Sequence, residues 1–327
     1  MNDFSCPDTA LVLTAGRGTR LRPLSCIRAK PAVPLAGNTI IRRILSWLSD
    51  SGVRHIVLNL HHRPETITGE VGDGSDLRLT VRYSWEQSIL GSGGGPRHAL
   101  PLLERETFLI VNGDTLTNVD LHALAGVHMQ SGALVTLALT SERDVRRYGG
   151  VALDDDGAVT RFVSKGSAAK AAHFVGVQIA QSAAFSRLPD NMPAECFRDV
   201  YASLLAARRN SVRGLVCEAD FYDVGTPADY LAASLAIARR EGHALRPGRR
   251  SIVDRSSRLL DTVVWDDVVI ERDCELARCI VADGVTIPCG SRVANAVIVR
   301  ADGHVPAAAE RLMGELLIAD IPTGDVS

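Results

Sequence analysis

The stretch AGRGTRLRPLSCIRAKP, residues 15–31, carries the strongest chemical signal in the chain. Gly16 and Gly18 flank Arg17 directly after an apolar run. Glycines there let backbone N–H groups close on a phosphate chain, where a Cβ would block the approach. Arg20 can fork onto two phosphate oxygens, and Lys30, stiffened by Pro31, offers a compact point charge. Leu21 stands where the dinucleotide fingerprint needs its third glycine, and the G-K-[ST] of the P-loop is missing. The loop therefore suits phosphate without being either common motif. The 36 cations include only three lysines, Lys30, Lys165 and Lys170. In a chain that otherwise writes arginine, a retained lysine points to a place that needs an ammonium.

The elements around this loop read as alternating strands and helices. ALVLTA (10–15) is a buried strand feeding the loop, residues 38–50 have helical spacing, and RHIVLNL (54–60) is a second strand. A short helix in HRPETITGEV, a strand in LRLTVRYS, a helix in GPRHALPLL and a strand in TFLIVNGD (107–114) follow. This order predicts an α/β fold with a doubly wound, mostly parallel, Rossmann-like sheet, whose ligands lie beyond the carboxyl ends of the strands. The glycine loop and VNGD both fall at such ends. Residues 134–224 are richer in strands, and Thr226-Pro227-Ala228-Asp229 opens a helix running to about Arg240. We expect a first domain over 1–243, a polar linker at 244–250, a second domain over 251–305 and a tail at 306–327 that either forms one helix or frays.

The second domain carries a weak repeat. Val264, Ile270 and Leu276 are six residues apart, and Val281, Ile287 and Val293 restate them seventeen positions later. Ile298 starts a further round, while Val253 and Leu259 fit the round before. The same register sets Asp266 on Asp283 and Val268 on Val285. Six-residue aliphatic spacing in short rungs predicts a short parallel, left-handed β-helix with one continuous aliphatic stack.

Composition excludes several classes. A net charge of −2 gives no general pull toward nucleic acid or an anionic membrane, so neither is an expected partner. No apolar run approaches a membrane span, and MNDFSCPDTA lacks the basic and apolar regions of a signal peptide. The seven cysteines form no C-x-x-C pair and read as reduced thiols of a cytoplasmic protein.

Seven stretches in order, LTAGRGTRLRPLS…AKPAVPLAG, VLNLHH, LGSGGG, VNGD, YGGVALDDDGAVTRFVSK, HFVGVQ and FYDVGTPADYLAAS, resemble the sugar-1-phosphate nucleotidyltransferases, the NDP-sugar pyrophosphorylases. The likeness covers about residues 8–240, with Ser25 and Ala29 as small departures from the opening signature. The β-helix resembles the C-terminal domain of many members. The resemblance implies that a sugar-phosphate oxygen attacks the α-phosphate of a nucleoside triphosphate and expels pyrophosphate. That chemistry needs positioning and charge neutralisation rather than a protein nucleophile.

By the same resemblance Asp114 and Asp223 bind Mg²⁺, and Arg20 and Lys30 hold the triphosphate as pyrophosphate leaves. Ala15, Gly16, Gly18, Thr19, Gly93 and Gly94 would contact the nucleotide, and Glu86 would face its base. A carboxylate only accepts hydrogen bonds, and guanine offers N1–H and an amino group together, which favours GTP and leaves UTP open. Gly149, Lys165 and Gly176 would hold the sugar phosphate, but Ser164 replaces the glutamate that usually helps bind sugar hydroxyls. The expected reaction is guanylyl transfer to a mannose-1-phosphate-like sugar. Uridylyl transfer to a hexose or N-acetylated sugar 1-phosphate is the alternative within the class. A non-catalytic nucleotide-sugar-binding subunit is the alternative outside it. We expect the β-helix to serve packing or a homo-oligomer contact. Asp154-Asp155-Asp156 before Gly157 reads as a hairpin turn rather than a metal motif, and His61-His62 as a strand-end loop.

Overall fold

The computed structural model describes residues 6–141, 148–167, 169–301 and 310–322. Contacts divide the chain into two compact units, one of residues 1–16 and 41–222, the other of residues 17–40 and 223–327.

The first unit is built on a seven-stranded sheet. Its order is Val212–Val216, Val135–Thr140, His173–Gln181, Thr107–Asn112, Thr9–Leu13, His55–Leu60, Thr80–Trp85. Six strands run parallel, and His173–Gln181 alone runs against both neighbours. In the centre Val12 lies opposite both Leu58 and Val111. Runs such as TALVL and TFLIVN are buried with almost no alternation because such a sheet is covered on both faces. Leu11, Val57, Phe108, Ile110, Leu137 and Phe185 anchor the core. The helices Gly91–Leu103 and Leu121–Ser131 lie between strands, the second capped by Asp120, whose Oδ1 accepts the His122 and Ala123 N–H groups. The aspartate triplet is the expected hairpin turn. Gly150–Leu153 and Val159–Val163 pair antiparallel, and Asp154 accepts the Ala158 N–H at 2.9 Å, which holds its carboxyl below the usual range.

In the second unit the repeat becomes pairing. Val253 lies opposite Ile270 and Ile270 opposite Ile287; Leu259, Leu276 and Val293 align likewise, as do Val264, Val281 and Ile298. Each pair is parallel and seventeen residues apart, so three short sheets share one register and one apolar stack. Thr226 caps the helix Pro227–Arg240 by accepting the Asp229 N–H. The tail differs from expectation. Glu310–Met313 and Leu316–Asp320 are strands, not a helix, and Leu316–Asp320 pairs antiparallel with Ala296–Arg300. The edge of the last rung offers unpaired backbone groups, and pairing there buries Leu316 and Ile318 on the aliphatic stack. The rest of the tail, 306–309 and 323–327, lies outside the described residues. Among the described residues no helix is long and apolar enough to cross a membrane.

Ile287 is fully buried as the last member of its column. Ile287→Ala should cost about 3 kcal/mol through lost transfer energy and a residual cavity. Urea denaturation followed by circular dichroism checks this.

Candidate active site

In the first unit the carboxyl ends of three adjacent parallel strands are tied by one buried network. Just past Thr9–Leu13, the Thr14 N–H donates to Asn59 Oδ1 at 2.6 Å, and the Thr14 hydroxyl donates to the Asn59 carbonyl. Asn59 Nδ2 donates to Glu86 Oε1 at 2.7 Å, and the Leu90 N–H donates to Glu86 Oε2 at 2.9 Å. Glu86 is only 6 % exposed. Glu86, which the sequence expectation set facing a base, belongs to this network. Both oxygens already accept from the protein, so the carboxylate fixes the entry to the Gly91–Leu103 helix.

The glycines of LGSGGG find their reason in the same place. The Gly93 and Gly94 N–H groups donate to the Ala194 carbonyl at 2.8 and 3.2 Å. A Cβ on Gly94 would collide with the Met192 carbonyl oxygen, and one on Gly95 would stand 2.9 Å from both Asn59 Nδ2 and Glu86 Oε1. The chain's own segment Met192–Ala194 approaches Gly93 and Gly94, the glycines that the sequence expectation set against a nucleotide. Gly16 differs, because open space lies around the position its Cβ would take.

The turn Asn112-Gly113-Asp114 closes the Thr107–Asn112 strand. The Gly113 N–H donates to the Leu13 carbonyl at 2.9 Å, and a Cβ there would lie 2.5 Å from that oxygen. This close approach requires glycine and sets Asp114, half-buried, beside Thr115. Gly176 sits in the register irregularity between Phe174 and Gln178, its Cβ position 3.1 Å from Asn112 Nδ2. Gly149, at φ 78°, has its Cβ position 2.8 Å from the Val163 carbonyl and 3.5 Å from the Lys165 N. Gly149, Ser164 and Lys165 line one cleft of about 730 Å³, with Phe162, Phe174 and Phe197 along its apolar wall.

The second unit holds the cation loop. Gly18 is left-handed at φ 59°, and its Cβ position lies 3.2 Å from the Cβ atoms of both Lys30 and Ser25. The loop thus folds tightly on the buried Lys30. Past it, Thr19–Leu21, Leu24–Cys26 and Lys30–Ala32 are single 3₁₀ turns. Gly225 joins the other two expected groups. Its Cβ position is 3.0 Å from the Arg20 guanidinium and 3.2 Å from both Asp223 carboxylate oxygens. A cation and a carboxylate therefore border one glycine, where an anionic phosphate and a divalent cation could each find a partner.

A nucleotidyl transferase family signature matches residues 9–240. The mannose-1-phosphate guanylyltransferase of Mycobacterium tuberculosis is 30% identical over 297 residues, 82% of this chain and 83% of that protein. The chain belongs to the nucleotidyl transferase family. It is a sugar-1-phosphate nucleotidyltransferase, an enzyme whose substrates are a nucleoside triphosphate and a sugar 1-phosphate. The UTP–glucose-1-phosphate uridylyltransferase of Synechocystis is 26% identical over 286 residues, 80% of this chain and 72% of that protein. The crystal structure of HddC from Yersinia pseudotuberculosis complexed with GMP-PN aligns with TM-score 0.61 at 26% identity, over 71% of this chain and all of that one.

In this nucleotidyltransferase the first unit carries Ala15, Gly16, Asp114, Gly149, Lys165 and Gly176, and the second carries Gly18, Thr19, Arg20, Lys30 and Asp223. Sequence reasoning missed Asn59 and Gly225. Both lay inside quoted motifs, VLNLHH and YDVGT, and an asparagine in the middle of a buried apolar strand was the available signal. Asn59→Leu keeps the volume but strips Glu86 Oε1 and the Thr14 N–H of their partners. It should cost about 2 kcal/mol or more in urea denaturation, as expected for a buried acceptor left unsatisfied.

Proposed function

We propose that this enzyme transfers a guanylyl group from GTP to a mannose-1-phosphate-like sugar. The attacking sugar-phosphate oxygen forms a bond to the α-phosphorus, the bond to the bridging oxygen breaks, and pyrophosphate leaves with that electron pair. Arg20 and Lys30 bind the triphosphate and take up the charge that gathers on the leaving group. Lys165 holds the sugar phosphate as a point donor beside Gly149, in the cleft lined by both. Ala15, Gly16, Gly18 and Thr19 bring backbone N–H groups to the nucleotide, and Gly176 brings backbone to the sugar.

Asp114 and Asp223 are the residues that would hold Mg²⁺. Hard carboxylate oxygens suit that ion, which characteristically takes one or two carboxylates together with substrate phosphates. Substrate phosphate oxygens would share its shell. When bound, the ion supplies Lewis-acid stabilisation of charge on the phosphates.

The observation that carries this reading is that Arg20 and Asp223 border the same glycine, Gly225. The guanine preference draws on the guanylyltransferase relative and on the GMP-PN complex of HddC. Because Glu86 turns inward, the uridylyl alternative keeps its place, favoured by the Synechocystis relative. We further propose that the seventeen-residue rungs form the short left-handed β-helix and that exposed Ile252 and Leu260 serve a homo-oligomer contact. All seven cysteines are free thiols, which fits a cytoplasmic setting.

Pyrophosphate release across the four common NTPs and a panel of sugar 1-phosphates tests the assignment. GTP with mannose 1-phosphate should lead, while a UTP maximum would hand the reading to the alternative. Asp223→Asn should lower turnover by about 100-fold or more at unchanged circular dichroism. Lys165→Ala should raise the KM for the sugar phosphate while leaving that for the NTP unchanged.

A further inference from the structure

The loop that carries Arg20 and Lys30 has no strand or long helix of its own to hold it. Its rigidity must come from tertiary contacts, and the second unit supplies an unusual one. Arg28, two residues before Lys30, donates from Nε to Asp283 Oδ2 at 2.6 Å and from one terminal nitrogen to Asp283 Oδ1 at 2.8 Å. The same nitrogen reaches Asp266 Oδ2 at 2.8 Å. The guanidinium carbon also lies 5.5 Å from the centre of the Trp265 ring. Asp266 and Asp283 occupy one position in successive seventeen-residue rounds, and the Asp266 N–H donates to Asp283 Oδ1. Arg249 secures Asp266 from the other side, through its own N–H at 2.7 Å and its guanidinium at 2.9 Å. Trp265 in turn donates to the Tyr230 hydroxyl, which donates to the Pro34 carbonyl at the far end of the loop segment.

We propose that Arg28 is a positioning residue for the phosphate loop, clasped by the stacked carboxylates Asp266 and Asp283 of the C-terminal rungs. The rungs thereby set the geometry in which Arg20 and Lys30 meet the triphosphate. A guanidinium is the group that can bond two carboxylates in fixed directions while its face rests on an indole, and side chains this buried keep that geometry. The proposal rests on the reading of Arg20 and Lys30 as triphosphate ligands, but the clasp has a readout of its own.

The test uses the full chain with Arg28→Met, the shape-preserving Asp283→Asn, the conservative Arg28→Lys, and Thr262→Val as a control. Among the described residues the Thr262 hydroxyl bonds rung backbone, at Leu260, Leu276 and Cys279. Arg28→Met and Asp283→Asn should lower kcat/KM for the NTP roughly tenfold, the scale of one charge-assisted bond, with the sugar-phosphate KM unchanged. Arg28→Lys should recover part of the loss. Thr262→Val should lower the Tm without changing either KM. Binding of inorganic tripolyphosphate by calorimetry should weaken in parallel with the NTP effect. Hydrogen exchange at the Leu21, Cys26 and Ala32 amides, which close the loop's turns, should accelerate in Arg28→Met and not in Thr262→Val. Unchanged exchange in Arg28→Met, or equal losses for both substrates, would overturn the clasp. Accelerated exchange in a protein that neither binds tripolyphosphate nor turns over would leave the clasp standing and overturn the triphosphate reading instead.

Discussion

Two aspartates, seventeen residues apart in the C-terminal repeat, hold an arginine that lies 238 and 255 residues away in the chain. Around that interaction the loop of Arg20 and Lys30 acquires a shape its own sequence could not enforce. Three isolated 3₁₀ turns make few hydrogen bonds each, so their order has to be borrowed. Burial works against the Arg28 charge, and the bonds to Asp283 and Asp266 outweigh it, leaving the guanidinium more firmly protonated than usual. The two carboxylates respond differently. Burial raises both, but the bonds from Arg28 and Arg249 leave Asp266 below the ordinary range, while Asp283 stays above it. Breaking such a cluster by removing one partner is costly because the remaining charges stay buried.

The first unit solves a similar problem through a buried asparagine. An asparagine supplies both an acceptor and a donor at the end of its strand, and so links Thr14 to Glu86. The carboxylate passes the connection on to the start of the glycine-rich helix. Backbone at the ends of three strands is thereby fixed where a parallel sheet offers its ligand face. The glycines that follow are small because a distant segment, Met192–Ala194, must lie against them. Glycine-rich composition alone cannot separate room made for a ligand from room made for the chain's own backbone.

Much of the architecture was legible. The aliphatic columns at six and seventeen residues align in the structure as the spacing required, because each rung can bury only one set of side chains. The capped helix at Thr226 and the hairpin at Asp154 follow from short-range hydrogen bonding that local sequence encodes. The tail was not legible as strands. Its composition suits a helix, and only the exposed edge of the last rung makes extended pairing the better use of its backbone.

The sequence by itself determined which side chains could meet phosphate, which faces would be buried, and which aspartates would stack. Tertiary structure alone decided that Glu86 turns inward, that Gly93 and Gly94 receive the chain's own backbone, and that Arg28 fills the aspartate pair. The reason lies in range. Periodicity records that a residue is buried, but a buried polar group takes its partner from whichever distant segment the fold brings within about 3 Å.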